Sequence, residues 1–85
     1  MLKLAQPASE QLEPVDRFEA LFSSLYGDIY MLVYRVLGEP MASEDIVQEA
    51  FLKLNDHGAV QLRPESEVAA WLRRVALRLA FNWRR

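Results

Sequence analysis

Apolar residues recur along this chain at steps of three and four, and no stretch alternates apolar with polar for long enough to make a strand. Phe18, Leu21, Phe22, Leu25, Ile29, Leu32, Val33 and Val36 form the first stripe, which predicts a long helix with one buried face. Asp16 followed by Glu19 has capping-box spacing, with Asp in place of Ser or Thr, and sets the expected helix start. Gly27 is where this helix is expected to loosen or bend, and Gly38-Glu39-Pro40 ends it. A second helix is expected from about Met41 to Leu54, with Ile46, Val47, Ala50, Phe51 and Leu54 turned inward. The turn formers Asn55, Asp56, His57 and Gly58 close it, and residues 55–65 show no clear period. After Pro64 and Ser66 a last helix buries Val68, Leu72, Val75, Ala76 and Leu79 and runs on to Arg85. Residues 1–15, polar and proline-punctuated, are expected to be a flexible tail. Residues 16–85 are then one all-α domain, a small bundle of three to four helices.

Composition narrows the chemistry. A hydrophobic fraction of 52% supplies a core rather than a disordered chain. There is no cysteine for a disulfide or thiolate site, and His57, the single histidine, does not make a zinc site alone, so no cofactor or metal is expected. Asp56-His57 are neighbours in a turn without a partnered nucleophile, and no glycine-rich loop cradles phosphate. Glu44 and Asp45 are adjacent on a helix and point apart. These residues build no active site, and the chain is not expected to be an enzyme. The first residues hold no apolar run of signal-peptide length, and Asp28 and Arg35 interrupt the longest apolar stretch. A cytoplasmic protein without membrane insertion is the expectation.

The net charge of −2 conceals a split: all 12 acidic residues lie within 1–67. Beyond them Arg73, Arg74, Arg78, Arg84 and Arg85 stand without an acid, which points to a polyanionic partner at that end. A helix terminus favouring cations accounts for Arg84 and Arg85 only. Arg74, Arg78 and Arg85 share one sector of the last helix, Trp71 sits between that sector and the core, and Phe81 lies on the far side. Guanidinium groups interleaved with rings suit single-stranded nucleic acid. Trp71 reads equally as a stacking platform or as a core residue, and Trp83 reads as core. On the second helix Asp45, Gln48, Glu49 and Leu52 stack on the outward face. That face is either a docking ridge for a basic helical partner or an ordinary solvated face with one stray leucine.

FEALFSSLYGDIYMLVYRVLG, ASEDIVQEAFLKL and AAWLRRVALRLAFNWRR, in that order over residues 16–85, resemble region 2 of the extracytoplasmic-function sigma factors of the sigma-70 family. The most specific piece is Glu44-Asp45-Ile46-Val47-Gln48-Glu49-Ala50-Phe51, followed by Ala70-Trp71-Leu72 and a basic helix end. The resemblance implies a transcription initiation factor domain that binds core RNA polymerase and opens the promoter −10 element by holding its non-template strand. It implies that Asp45, Gln48, Glu49 and Leu52 dock on the clamp helices of the β′ subunit. The loop 55–67 and the helix after it would engage the melted strand, with one base extruded into a pocket, through His57, Arg63, Ser66, Trp71, Arg74 and Arg78. Arg74 and Arg78 would hold the backbone, and Trp71 would support the loop or the duplex edge. An anti-sigma factor is a further implied partner.

The chain departs from the family pattern in four places. Asn55 and Leu62 stand where aromatics are usual, Leu77-Arg78 replaces a common Arg-Asn pair, and Asn82 replaces a frequent aspartate. All four fall in or near the DNA-reading part, whereas the docking helix keeps the pattern. Region 4, the helix-turn-helix that reads the −35 element, is absent from these residues. The expectation is therefore an excised domain or, alternatively, a sigma-like decoy that binds an anti-sigma factor without DNA activity.

Overall fold

The computed structural model describes residues 14–85. Four helices follow one another: α1 (Pro14–Leu37), α2 (Pro40–Asp56), the single turn α3 (Gly58–Gln61) and α4 (Glu65–Arg84). No strand occurs among the described residues. The expected tail falls largely on residues 1–13, outside the description.

α1 is described from Pro14, two residues ahead of the start that the capping pattern suggests. Proline suits a first turn because its φ is already helical and its missing N–H has no partner there. Asp16 lies inside that turn, where a carboxylate meets the positive end of the helix. The helix runs unbroken through Gly27. It stops at Gly38, whose φ of 69° is left-handed and whose N–H reaches the Tyr34 carbonyl at 2.8 Å. α2 then starts on Pro40. The fully buried Ser43 donates its hydroxyl to the Glu39 carbonyl at 2.6 Å, so its polar atom is satisfied inside the core.

The three long helices bury one shared core. Leu21, Leu25, Ile29 and Val33 come from α1, and Ile46, Val47, Ala50, Phe51 and Leu54 come from α2. α4 adds Val68, Ala69, Leu72, Ala76 and Ala80. Its buried stripe is turned slightly from the expected one. Val75 and Leu79 are only partly buried, and Ala69 and Ala80 take their place. Three alanines in that seam let α4 approach its neighbours closely. Trp83, expected in the core, is 50% exposed, because Ala80 one turn earlier is the last buried residue of α4.

Phe22, also expected in the core, reaches the surface at 36% exposure. It belongs to a ladder of rings on α1, Phe18, Phe22, Tyr26, Tyr30 and Tyr34, spaced four residues apart with successive centroids 5.1 to 6.3 Å apart. Phe51 of α2 meets the first three rungs, most closely Phe22 at 4.8 Å. Such pairs add about 0.5–1.5 kcal/mol each beyond the area they bury.

The segment from 55 to 65, which shows no period, contains α3, and tertiary bonds explain its order. Arg17 of α1 donates from Nε to the Gln61 carbonyl at 3.0 Å and from Nη2 to the Arg63 carbonyl at 2.7 Å. Ser24 of α1 donates to Glu65 Oε2 at 2.7 Å. The Arg63–Glu67 ion pair, 3.4 Å long and exposed, contributes little by comparison.

Gly27 is exposed within a continuous helix, and a Cβ placed there meets nothing within 4 Å. Gly27→Ala is therefore expected to stabilise the fold by about 0.5–1 kcal/mol, read as a higher denaturant midpoint at unchanged slope.

Candidate functional site

α2 presents a different surface on each flank. Asp45, Gln48, Glu49 and Leu52 are all exposed, as the sequence predicts, and Gln48 and Leu52 lie on the side shared with α1. Leu52 is 63% exposed. With Phe18, Phe22, Gln48 and Phe51 it lines an open hollow of about 300 Å³. The hollow is lined by three aromatic rings and Leu52, with Gln48 as its polar member, a surface suited to an apolar side chain of a partner. Higher on the ladder, burial holds the Tyr26 phenol above its ordinary value near 10, helped by the Glu44 carboxylate and Tyr30, so the hydroxyl keeps its proton and remains a donor. Phe18 and Phe22 are the members of this face that the apolar stripe hides. The recurrence of aromatics every four residues is the signal that singles them out.

On the side shared with α4, Lys53, His57, Trp71, Arg74, Val75, Arg78 and Leu79 line a groove of about 480 Å³. Arg74 and Arg78 are exposed along it. Three cations and no carboxylate line this groove, with an apolar strip from Val75 and Leu79. Lys53 is the addition that the sequence conceals. It belongs to the otherwise acidic second helix and meets the arginines only once α2 and α4 pack side by side. His57 donates from Nδ1 to the Lys53 carbonyl at 2.7 Å, a bond that selects the Nδ1–H tautomer in the neutral ring. Its ring lies 5.5 Å from that of Trp71, tilted by 51°.

A second hollow of about 260 Å³ lies on the other side of Trp71, lined by Val60, Arg63, Glu67, Ala70, Trp71 and Arg74. Trp71, half-buried, and Arg74 therefore stand between two concavities. Trp71 packs against the core with one part and lines both hollows with another. Ser66 is exposed in the first turn of α4 and lines neither hollow. Leu62 stands 75% exposed on the loop. Cations spaced along a groove with a ring at its edge can hold the phosphates of a strand and stack its bases.

Among the described residues no three His, Cys, Asp or Glu side chains cluster to hold a metal ion, and no helix is long and apolar enough to cross a membrane. Comparison with protein families matches residues 21–85 to sigma-70 region 2. No curated protein and no solved structure matches the chain.

Lys53→Ala and Arg74→Ala are each expected to weaken binding of a labelled single-stranded oligonucleotide and to flatten its salt dependence by about 0.7 in log affinity per log salt. Ser66→Ala, which removes no charge, is expected to weaken binding without changing the salt slope. Fluorescence anisotropy across a salt series reads the three together.

Proposed function

We propose a division of labour between the two flanks of α2 in this chain, which belongs to the sigma-70 region 2 family. The family is not enzymatic: region 2 binds core RNA polymerase and recognises and melts the promoter −10 element. In our reading Asp45, Gln48, Glu49 and Leu52 dock on the β′ clamp helices, with the hollow between Phe22 and Leu52 taking an apolar side chain from that partner. The groove bounded by Lys53, Arg74 and Arg78 carries the backbone of the non-template strand. One base leaves the stack for the smaller hollow beside Trp71. Flipping costs a few kcal/mol, which stacking on the ring and contacts in the hollow offset.

The observation that carries this reading is that Gln48 and Leu52 of α2 line one hollow with α1, while Lys53 of α2 lines another with Arg74 and Arg78 of α4. Within the family the motif order favours the extracytoplasmic-function type, acting in the cytoplasm. An anti-sigma factor would compete for the acidic ridge, because that ridge is what makes the domain a polymerase subunit. The sigma-like decoy draws support from the loop, where exposed Leu62 replaces an aromatic. It parts from the leading reading when labelled −10 non-template strand is titrated onto the chain with core polymerase present: the decoy leaves the strand free.

For the docking flank, Leu52→Ala and the double variant Asp45→Ala/Gln48→Ala are each expected to weaken binding to a β′ clamp-helix fragment by about tenfold or more, since truncating central interface residues commonly costs over 1 kcal/mol. Affinity equal to that of the unaltered chain, measured by calorimetry, would remove the docking assignment.

A further inference from the structure

We infer that Arg17 is a positioning residue for the strand-reading loop, holding that loop in register from the same helical turn that lines the docking hollow. The inference rests on the proposed function above and deepens it. The loop after α3 has a polar problem to solve. Its N–H groups at Leu62 and Arg63 bond back to the Ala59 and Val60 carbonyls, which leaves the carbonyls of Gln61 and Arg63 pointing out of the turn. Pro64 follows and offers no N–H of its own. Arg17 meets both carbonyls with two nitrogens of one guanidinium, at 3.0 and 2.7 Å, across more than forty residues of chain.

A planar fork bonded at two points fixes orientation as well as distance, which a single bond does not. The carbonyls so held flank Leu62, and Val60 and Arg63 on the same stretch line the hollow beside Trp71. Loosening the fork therefore moves two walls of that hollow. It leaves Lys53, Arg74 and Arg78 where α2 and α4 hold them. Next to Arg17 in sequence, Phe18 lines the docking hollow on the other flank, so one turn of α1 borders both surfaces.

Arg17 is thus distinguishable from a phosphate contact. Its charge is occupied by loop carbonyls, and its effect on the strand is geometric. The test measures binding of −10 non-template oligonucleotide by the full chain with core polymerase, across a salt series, for Arg17→Ala and Arg17→Lys. Affinity for the β′ clamp-helix fragment is measured alongside. Arg17→Ala is expected to lose roughly tenfold in strand affinity, as for a charge-assisted bond removed, with the salt slope and the β′ affinity unchanged. Arg17→Lys, which keeps the charge and one of the two bonds, is expected to fall between. If Arg17→Ala melts below the assay temperature, Arg17→Lys alone carries the comparison. Strand affinity equal to the unaltered chain overturns the inference. So does a slope flattened by about 0.7, which marks a phosphate contact, or a parallel loss of β′ binding, which marks general destabilisation. Failure of the unaltered chain to bind strand at all overturns the function itself, a different result.

Discussion

Everything in this small bundle depends on the burial of one stripe of α2 between α1 and α4. Val47, Ala50, Phe51 and Leu54 are all essentially inaccessible, and each touches a core assembled from three helices. Truncating such a residue typically costs about 2–5 kcal/mol, a large part of the 5–15 kcal/mol that holds a domain together. Because the middle of α2 is committed inward, its remaining positions divide into two flanks. One flank forms a groove with α1 and the other a groove with α4. The core thus decides which side chains of α2 share a surface.

The division also has an electrostatic side. A helix with its side chains is about 10–12 Å across. Charges in solution are screened over about 8–10 Å at ordinary salt. Glu49 lies one turn from Lys53 on α2, within that range, so the ridge and the groove meet along this pair, while Arg74 and Arg78 stand on α4. A chain with a net charge of −2 can still present a locally positive groove. Total charge is a poor guide here, and the distribution around a single helix is a good one.

Much of this architecture is legible in the order of residues alone. Three-and-four periodicity marks all three long helices, because a core-facing stripe must repeat with the helix turn. The exposed sets Asp45, Gln48, Leu52 and Arg74, Arg78 follow from the same geometry applied to the opposite faces. What stays hidden depends on more than one element. Lys53 looks like an ordinary charge on α2 until α4 lies beside it. α3 is a single turn, too short to show a periodic stripe, and the Arg17 bonds to the Gln61 and Arg63 carbonyls come from far away in sequence. Phe18 and Phe22 match the core period, yet the aromatic ladder leaves Phe22 at the edge of the groove. Trp83 has core azimuth but lies past the end of the packed seam. Helical angle tells which way a side chain faces, and only packing tells whether anything is there to meet it.

The alanine seam of α4 has a consequence for how such a domain diversifies. Ala69, Ala76 and Ala80 act as spacers of minimum thickness, and they fix how far the arginine-bearing helix stands from its neighbours. Interiors packed to crystal density do not absorb an extra methyl group without moving something. A bulkier residue at 76 would pry α4 outward and reshape the channel between Lys53 and Arg78 while every charge on it stayed the same. Drift in what the surface accepts is then open to interior changes that no inspection of the exterior would reveal.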